Sequence, residues 1–162
     1  MDFIIRDVAE SDIDAVLTLN QSEVPHVGSV DLPKMLWYAS HASYFRVVVD
    51  GARIAAYLVG FRPGADYESP NYRWFCEHYD DFAYVDRVAV AQFARRHGIA
   101  SRLYDDFAAF VPASVPLMTC EVNIRPPNIS SMTYHERLGF RQVGSQITEG
   151  GDKEVAMLAK DL

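Results

Sequence analysis

Arg95-Arg96-His97-Gly98-Ile99-Ala100 joins an extended run, Tyr84 to Val90, to an amphipathic helix that starts near Gly98, and this junction decides how the chain is read. A glycine here lets an anion approach the main chain. The first turn of the helix behind it, with Ile99, Ala100 and Ser101, presents N–H groups that have no partner inside the helix. Unpaired donors and the helix dipole both favour negative charge, so a pyrophosphate suits such a turn. Arg95, Arg96 and His97 add positive charge. The structural alternative is a plain helix start with a few solvated cations.

Working outward, Ile99, Leu103, Phe107 and Phe110 line one face of the helix. Pro112 and Pro116 bracket the exit to a strand over Leu117 to Val122. Pro126-Pro127 ends it and precedes a helix with Asn128 near its start and Gly139 at its end, where a left-handed cap needs no β-carbon. Phe140 to Ile147 and Lys153 to Leu158, joined through Glu149-Gly150-Gly151, read as a closing hairpin. Upstream, Phe3 to Val8 reads as a strand and Glu10 to Val24 as a helix with Ile13, Val16, Leu17 and Val24 inward, capped by Ser11 or Asp12 and ended by Pro25. Leu32 to Ser40 is a second helix, burying Met35, Leu36 and Tyr38. Tyr44 to Val49 and Arg53 to Phe61 form a hairpin through Asp50-Gly51, a pair suited to a tight turn. Arg62 to Asp81, dense in Pro, Gly and aromatics, reads as an ordered loop. Phe82 to Val90 is a central strand with Tyr84, Asp86, Val88 and Val90 on one face and Val85, Arg87 and Ala89 on the other. Periodicity alone supports an α/β or α+β fold.

Two local patterns carry a resemblance. Arg95, Gly98 and Ala100 occupy the three defining positions of Arg/Gln-x-x-Gly-x-Gly/Ala, and Asn128-Ile-Ser-Ser131-Met-Thr-Tyr134-His135-Glu-Arg-Leu-Gly139-Phe140 follows at the expected distance. Together they resemble the pyrophosphate loop and second signature of the GCN5-related N-acetyltransferase (GNAT) superfamily, and the likeness extends over nearly all of the chain. It implies one domain, residues 1–162: a mixed, mostly antiparallel twisted sheet of about seven strands flanked by four helices. It also implies acetyl-CoA as co-substrate and transfer of its acetyl group, by direct attack, to a primary amine of a small molecule, amino acid or peptide. The main chain of Val88, Ala89 and Val90 then polarises the thioester carbonyl and pairs with the pantetheine arm, and Asn128 and Ser131 contact that arm.

Such a transfer needs a neutral amine, donors for the oxyanion and a proton for the thiolate. The family's general bases often sit where Tyr84 and Asp86 fall; Asp86 either takes the amine proton or binds the cation, or is a paired structural carboxylate, and Tyr84 reads better as pocket wall. The family's proton-donating tyrosine is matched here by His135, with Tyr134 beside it. Successive helical residues point about 100° apart, so only one of the two faces the sulfur. Water is the alternative donor. Asn20, Glu23, His26, Trp37 and Trp74, with Tyr84, are candidates for the acceptor site, although Asn20 has an equally good reading as a side chain bonded to the main chain near its helix end.

Composition narrows the class. A formal net charge of −7 disfavours nucleic acid and anionic membranes as partners. No apolar run approaches the about 18 residues that span a bilayer, and the first residues do not read as a signal peptide, so a cytoplasmic protein is expected. Cys76 and Cys120 make no disulfide framework, and the histidines lack metal-ligand spacing, so no metal is expected. The resemblance admits a homodimer through edge strands. It also admits a different class, a non-catalytic acyl-CoA-binding sensor or interaction module.

Overall fold

The computed structural model describes all 162 residues. In chain order its elements are β1 (Phe3–Asp7), α1 (Ile13–Ser22), α2 (Leu32–His41), β2 (Tyr44–Asp50), β3 (Arg53–Phe61), α3 (Pro70–His78), β4 (Ala83–Val90), α4 (Ile99–Phe110), β5 (Leu117–Arg125), α5 (Ile129–Arg137), β6 (Arg141–Thr148) and β7 (Lys153–Asp161). The strands form one seven-stranded sheet in the order β1-β2-β3-β4-β5-β7-β6. The β1–β2, β2–β3, β5–β7 and β6–β7 pairs are antiparallel, and β4–β5 is parallel. The chain divides into two compact units, Met1–Phe61 with Arg87–Phe110, and Arg62–Asp86 with Val111–Leu162. No helix is long and apolar enough to cross a membrane.

In the first unit, Val16 of α1, Met35 of α2 and the run Ala55 to Val59 of β3 are fully buried, with α1 packed against both α2 and β3. The β2–β3 turn places Gly51 at φ +59°, the left-handed backbone that Asp50-Gly51 is suited to supply. Gly60 is required by a close approach, because a β-carbon there would lie 2.5 Å from the Phe107 ring of α4. Four side-chain expectations are corrected in this unit. Val24 lies beyond α1 and is exposed, Leu36 and Phe110 are also exposed, and Leu19 rather than Leu17 is buried in α1. Asp12 does not cap α1. Its carboxylate accepts two bonds from Arg6 at 2.7 and 3.0 Å and one from the Ala9 N–H at 2.7 Å, and the guanidinium holds it below the usual carboxylate range. A short 310 turn, Glu10–Asp12, therefore precedes the helix.

In the second unit, Phe75, Phe82, Tyr84, Met118 and Met157 are among the side chains buried at its core. The expected loop over Arg62 to Asp81 contains a helix, giving five rather than four. Ser69 accepts the Tyr72 N–H, Pro70 occupies the first turn, and Tyr72 and Phe75 bury one face. Pro63, Gly64 and Pro70 mask that signal in composition, but Pro70 sits where a helix start tolerates proline.

Candidate active site

The first unit holds the junction expected to bind an anion. Behind β4, a 310 turn over Gln92–Ala94 anchors the loop through buried Ala94, and Ala91 N–H donates to the Ala55 carbonyl of β3 at 2.8 Å. Arg96 (φ +66°) and Gly98 (φ +70°) both take left-handed backbone, so the chain reverses tightly before α4 begins at Ile99. Nothing lies within 4 Å of where a Gly98 β-carbon would stand. Ile99 turns its side chain into the core, leaving its amide as the part that can serve a ligand. Arg102 N–H bonds to the Gly98 carbonyl at 3.1 Å, so the donors ahead of it belong to the first turn. Arg95 reaches back to Glu23, just past α1, with an N–O distance of 2.5 Å. His97 Nδ1–H donates to the Arg95 carbonyl at 2.9 Å while its ring meets Phe3 edge-on. This histidine fastens the loop.

Asn20 is engaged by several neighbours. Fully buried, its Oδ1 accepts from the Tyr57 hydroxyl and, at 3.0 Å, from Arg87, and its Nδ2 donates to Gln21 at 2.8 Å and to the Gly28 carbonyl at 3.2 Å. Arg87 also donates to the Gly28 carbonyl at 3.0 Å and lies over the Tyr38 ring. The segment after α1 is thereby tied to β3 and β4, with Glu23 half-buried and His26 exposed on it. In the sequence Arg87 is only one residue of a strand face; its bonds to residues 59 and 67 positions away leave no local trace. Trp37 is half-buried and stacked on His41 at 4.5 Å, with the Lys34 ammonium 4.5 Å from its ring centroid.

The second unit holds the carboxylates. The β4–β5 register is Ala83↔Met118 and Tyr84↔Thr119, and Asp86 and Glu121 each stand two residues further along their strands. By the period of two they share a face with Tyr84 and Thr119. Tyr84, fully buried, donates to both Glu121 oxygens, at 2.8 Å and 3.0 Å. Burial, with the Glu121 and Asp86 charges, pushes its phenol well above the ordinary value, so it remains a protonated donor. The Tyr67 hydroxyl donates to Asp86 at 2.6 Å. Glu121 is the residue that the sequence reading missed. A lone acid inside Met-Thr-Cys-Glu-Val was its available signal, since a charge in a buried strand needs partners.

Asn128 caps α5, its Oδ1 accepting the Ser131 N–H at 3.3 Å. His135 is buried, and its Nδ1–H donates to the Ser131 carbonyl at 2.7 Å. Burial lowers this imidazole below its ordinary value, outweighing the upward pull of that carbonyl. A neutral imidazole with Nδ1 protonated has only an acceptor at Nε2, which disfavours the role of acid. Tyr134 is half-buried with its ring edge-on to His135. Trp74 stacks on His78 at 3.7 Å and covers Gly144 of β6, where a β-carbon would come within 2.5 Å of the indole. No group of three or more His, Cys, Asp or Glu is arranged to hold a metal.

A family model described as "Acetyltransferase (GNAT) family" matches residues 13–140, and the chain belongs to this family. Its fold is that of solved N-acetyltransferases. Ard1 from Thermoplasma volcanium superposes with a TM-score of 0.80 at 16% identity, covering 100% of this chain and 99% of that one. Naa20 of Chaetomium thermophilum, solved with a bisubstrate analogue, gives 0.76 at 20% identity over 98% and 86%. The ribosomal-protein-S18-alanine N-acetyltransferase from Escherichia coli gives 0.71 at 14% identity over 99% and 94%. No curated protein matches the sequence.

Proposed function

We propose that this chain is a cytoplasmic, acetyl-CoA-dependent N-acetyltransferase acting on a primary amine of a small molecule, amino acid or peptide. The observation that carries the reading is the Arg95–Ala100 turn. In a chain of this family, left-handed Gly98 opens the start of α4, where main-chain donors and the helix dipole suit a pyrophosphate. Val88, Ala89 and Val90 would serve the pantetheine arm through their backbone, while Asn128 and Ser131 are chiefly engaged in starting α5. No metal enters this scheme.

In the proposed reaction the amine nitrogen attacks the thioester carbonyl carbon, the C–N bond forms, and the C–S bond breaks. A carboxylate takes the amine proton, and the thiolate leaves and is protonated. Glu121 and Asp86 are the candidate acceptors of the first proton; Glu121 is preferred because the Tyr84 hydroxyl, its one proton shared between the two oxygens, orients the carboxylate. Tyr134 or water supplies the second proton, since His135 offers no free N–H when neutral. A cationic amine fits two neighbouring carboxylates better than an anionic acceptor does.

His135 also supports a second reading, a non-catalytic acyl-CoA sensor, because the family's usual donor position is occupied by a neutral acceptor. Thiol release from acetyl-CoA against amines, amino acids and short peptides, with binding measured by calorimetry, separates them. Turnover with any acceptor supports the enzyme; binding without turnover across the panel supports the sensor.

A further inference from the structure

We propose that Asn71 of α3 and Gln146 of β6 are positioning residues for the Glu121 carboxylate, so that the segment inserted between β3 and β4 tunes the proton acceptor of the reaction. This rests on the reading of Glu121 given above. The Asn71 Nδ2 donates to Glu121 Oε1 at 3.2 Å, and Gln146 Nε2 donates to Asn71 Oδ1 at 2.9 Å. An amide is directional: with its oxygen accepting from Gln146, Asn71 must turn its NH2 towards Glu121. A flipped amide would set oxygen against oxygen at Glu121 and NH2 against NH2 at Gln146. Gln146, by donating Nε2 to Asn71 Oδ1, reinforces the orientation in which Asn71 turns its NH2 to the carboxylate. Tyr84 also donates to it from β4, so donors reach the carboxylate from two directions.

The helix carrying Asn71 is fixed for this task. Tyr72 and Phe75 are buried beneath it, and the Tyr72 hydroxyl donates to the Arg62 carbonyl at 2.7 Å. Trp74 lies against Gly144, two residues from Gln146 and so on the same face of β6. One face of one strand thus receives both the indole that seats α3 and the amide that orients Asn71. Asn71 and Tyr84 are uncharged donors, which hold the carboxylate in place and favour its charged form less strongly than a cation would.

Gln146→Glu is the informative change. The introduced carboxylate would accept from Asn71 Nδ2, and Asn71 would present Oδ1 to Glu121, disfavouring its charged form. With the best amine of the panel, the acidic limb of the kcat/KM profile should move up by about one pH unit, so that kcat/KM falls up to about tenfold on the acid side of the limb, while the acetyl-CoA KM changes less than about twofold. Asn71→Asp should move the limb the same way. The Glu121 carboxyl, followed by carbon-detected NMR in the folded proteins, should titrate correspondingly higher in both variants. An unmoved limb and an unmoved Glu121 titration in folded variants would overturn the inference, as would a loss of turnover accompanied only by a lower melting temperature. Glu121→Gln separates the two claims: full turnover there refutes Glu121 as base, while the NMR titration still tests whether Asn71 and Gln146 set its protonation.

Discussion

At residue scale the turn ahead of α4 is the most local of the features and was the most legible, because left-handed backbone ahead of a helix leaves glycine in the sequence. Gly98 at φ +70° makes a β-branched side chain costly whatever space surrounds it. Gly98→Val should weaken acetyl-CoA binding at least about tenfold by calorimetry with the circular dichroism spectrum unchanged; unaltered affinity would remove the loop from the site. Arg95 must share or leave Glu23 to meet a pyrophosphate, and Glu23→Gln should therefore tighten acetyl-CoA by roughly two- to fivefold at low salt, an effect that shrinks as salt rises. Weaker binding in that variant would mean that the pair instead holds Arg95 ready. His135 gives a signed pH effect. Its folded value lies below the ordinary 6.5, so its contribution to stability is complete above 6.5 and is lost as pH falls through the window beneath it, where the unfolded chain binds a proton that the folded one refuses. Nitrogen NMR should find the Nδ1–H tautomer at pH 7 and a midpoint below 6.5; a midpoint above it contradicts the buried, neutral assignment. Glu121 escaped the sequence reading for the opposite reason to Gly98, since its partners Tyr84 and Asn71 lie 37 and 50 residues away.

At element scale the strands and four of the helices follow from periodicity and turn chemistry, and boundaries shifted where a tertiary bond competed with a local one. Asp12 illustrates this: it is a good cap by type, but Arg6 and the Ala9 N–H claim its carboxylate. α3 was hidden because proline and glycine crowd its approach, although Ser69-Pro70 followed by Tyr72 and Phe75 at helical spacing marks it once proline is read as a helix opener. Strand β3 and helix α4 meet with no spare room at Gly60. Gly60→Ala should destabilise the protein by about 1–3 kcal/mol, seen as a lower urea midpoint at similar slope. A neutral result would mean that the Phe107 ring swings away easily, and that the contact is not close-packed.

At the scale of the whole molecule, a chain of net charge −7 binding an anionic cofactor needs local positive potential to oppose the general field. In the proposed account the loop that carries Arg95 and Arg96 would supply it, with main-chain donors adding a part that salt screens less. Family membership over residues 13–140 and the shared fold set the class of chemistry, while under the proposal the side chains around Glu121 and after α1 select the acceptor. The measurement that bears most directly on the account is thiol release from acetyl-CoA over a panel of cationic amines and peptides, with binding followed calorimetrically on the same sample. The account predicts saturable acetyl-CoA binding and turnover with at least one cationic acceptor, both impaired by Gly98→Val. Absence of acetyl-CoA binding by the folded protein would contradict it.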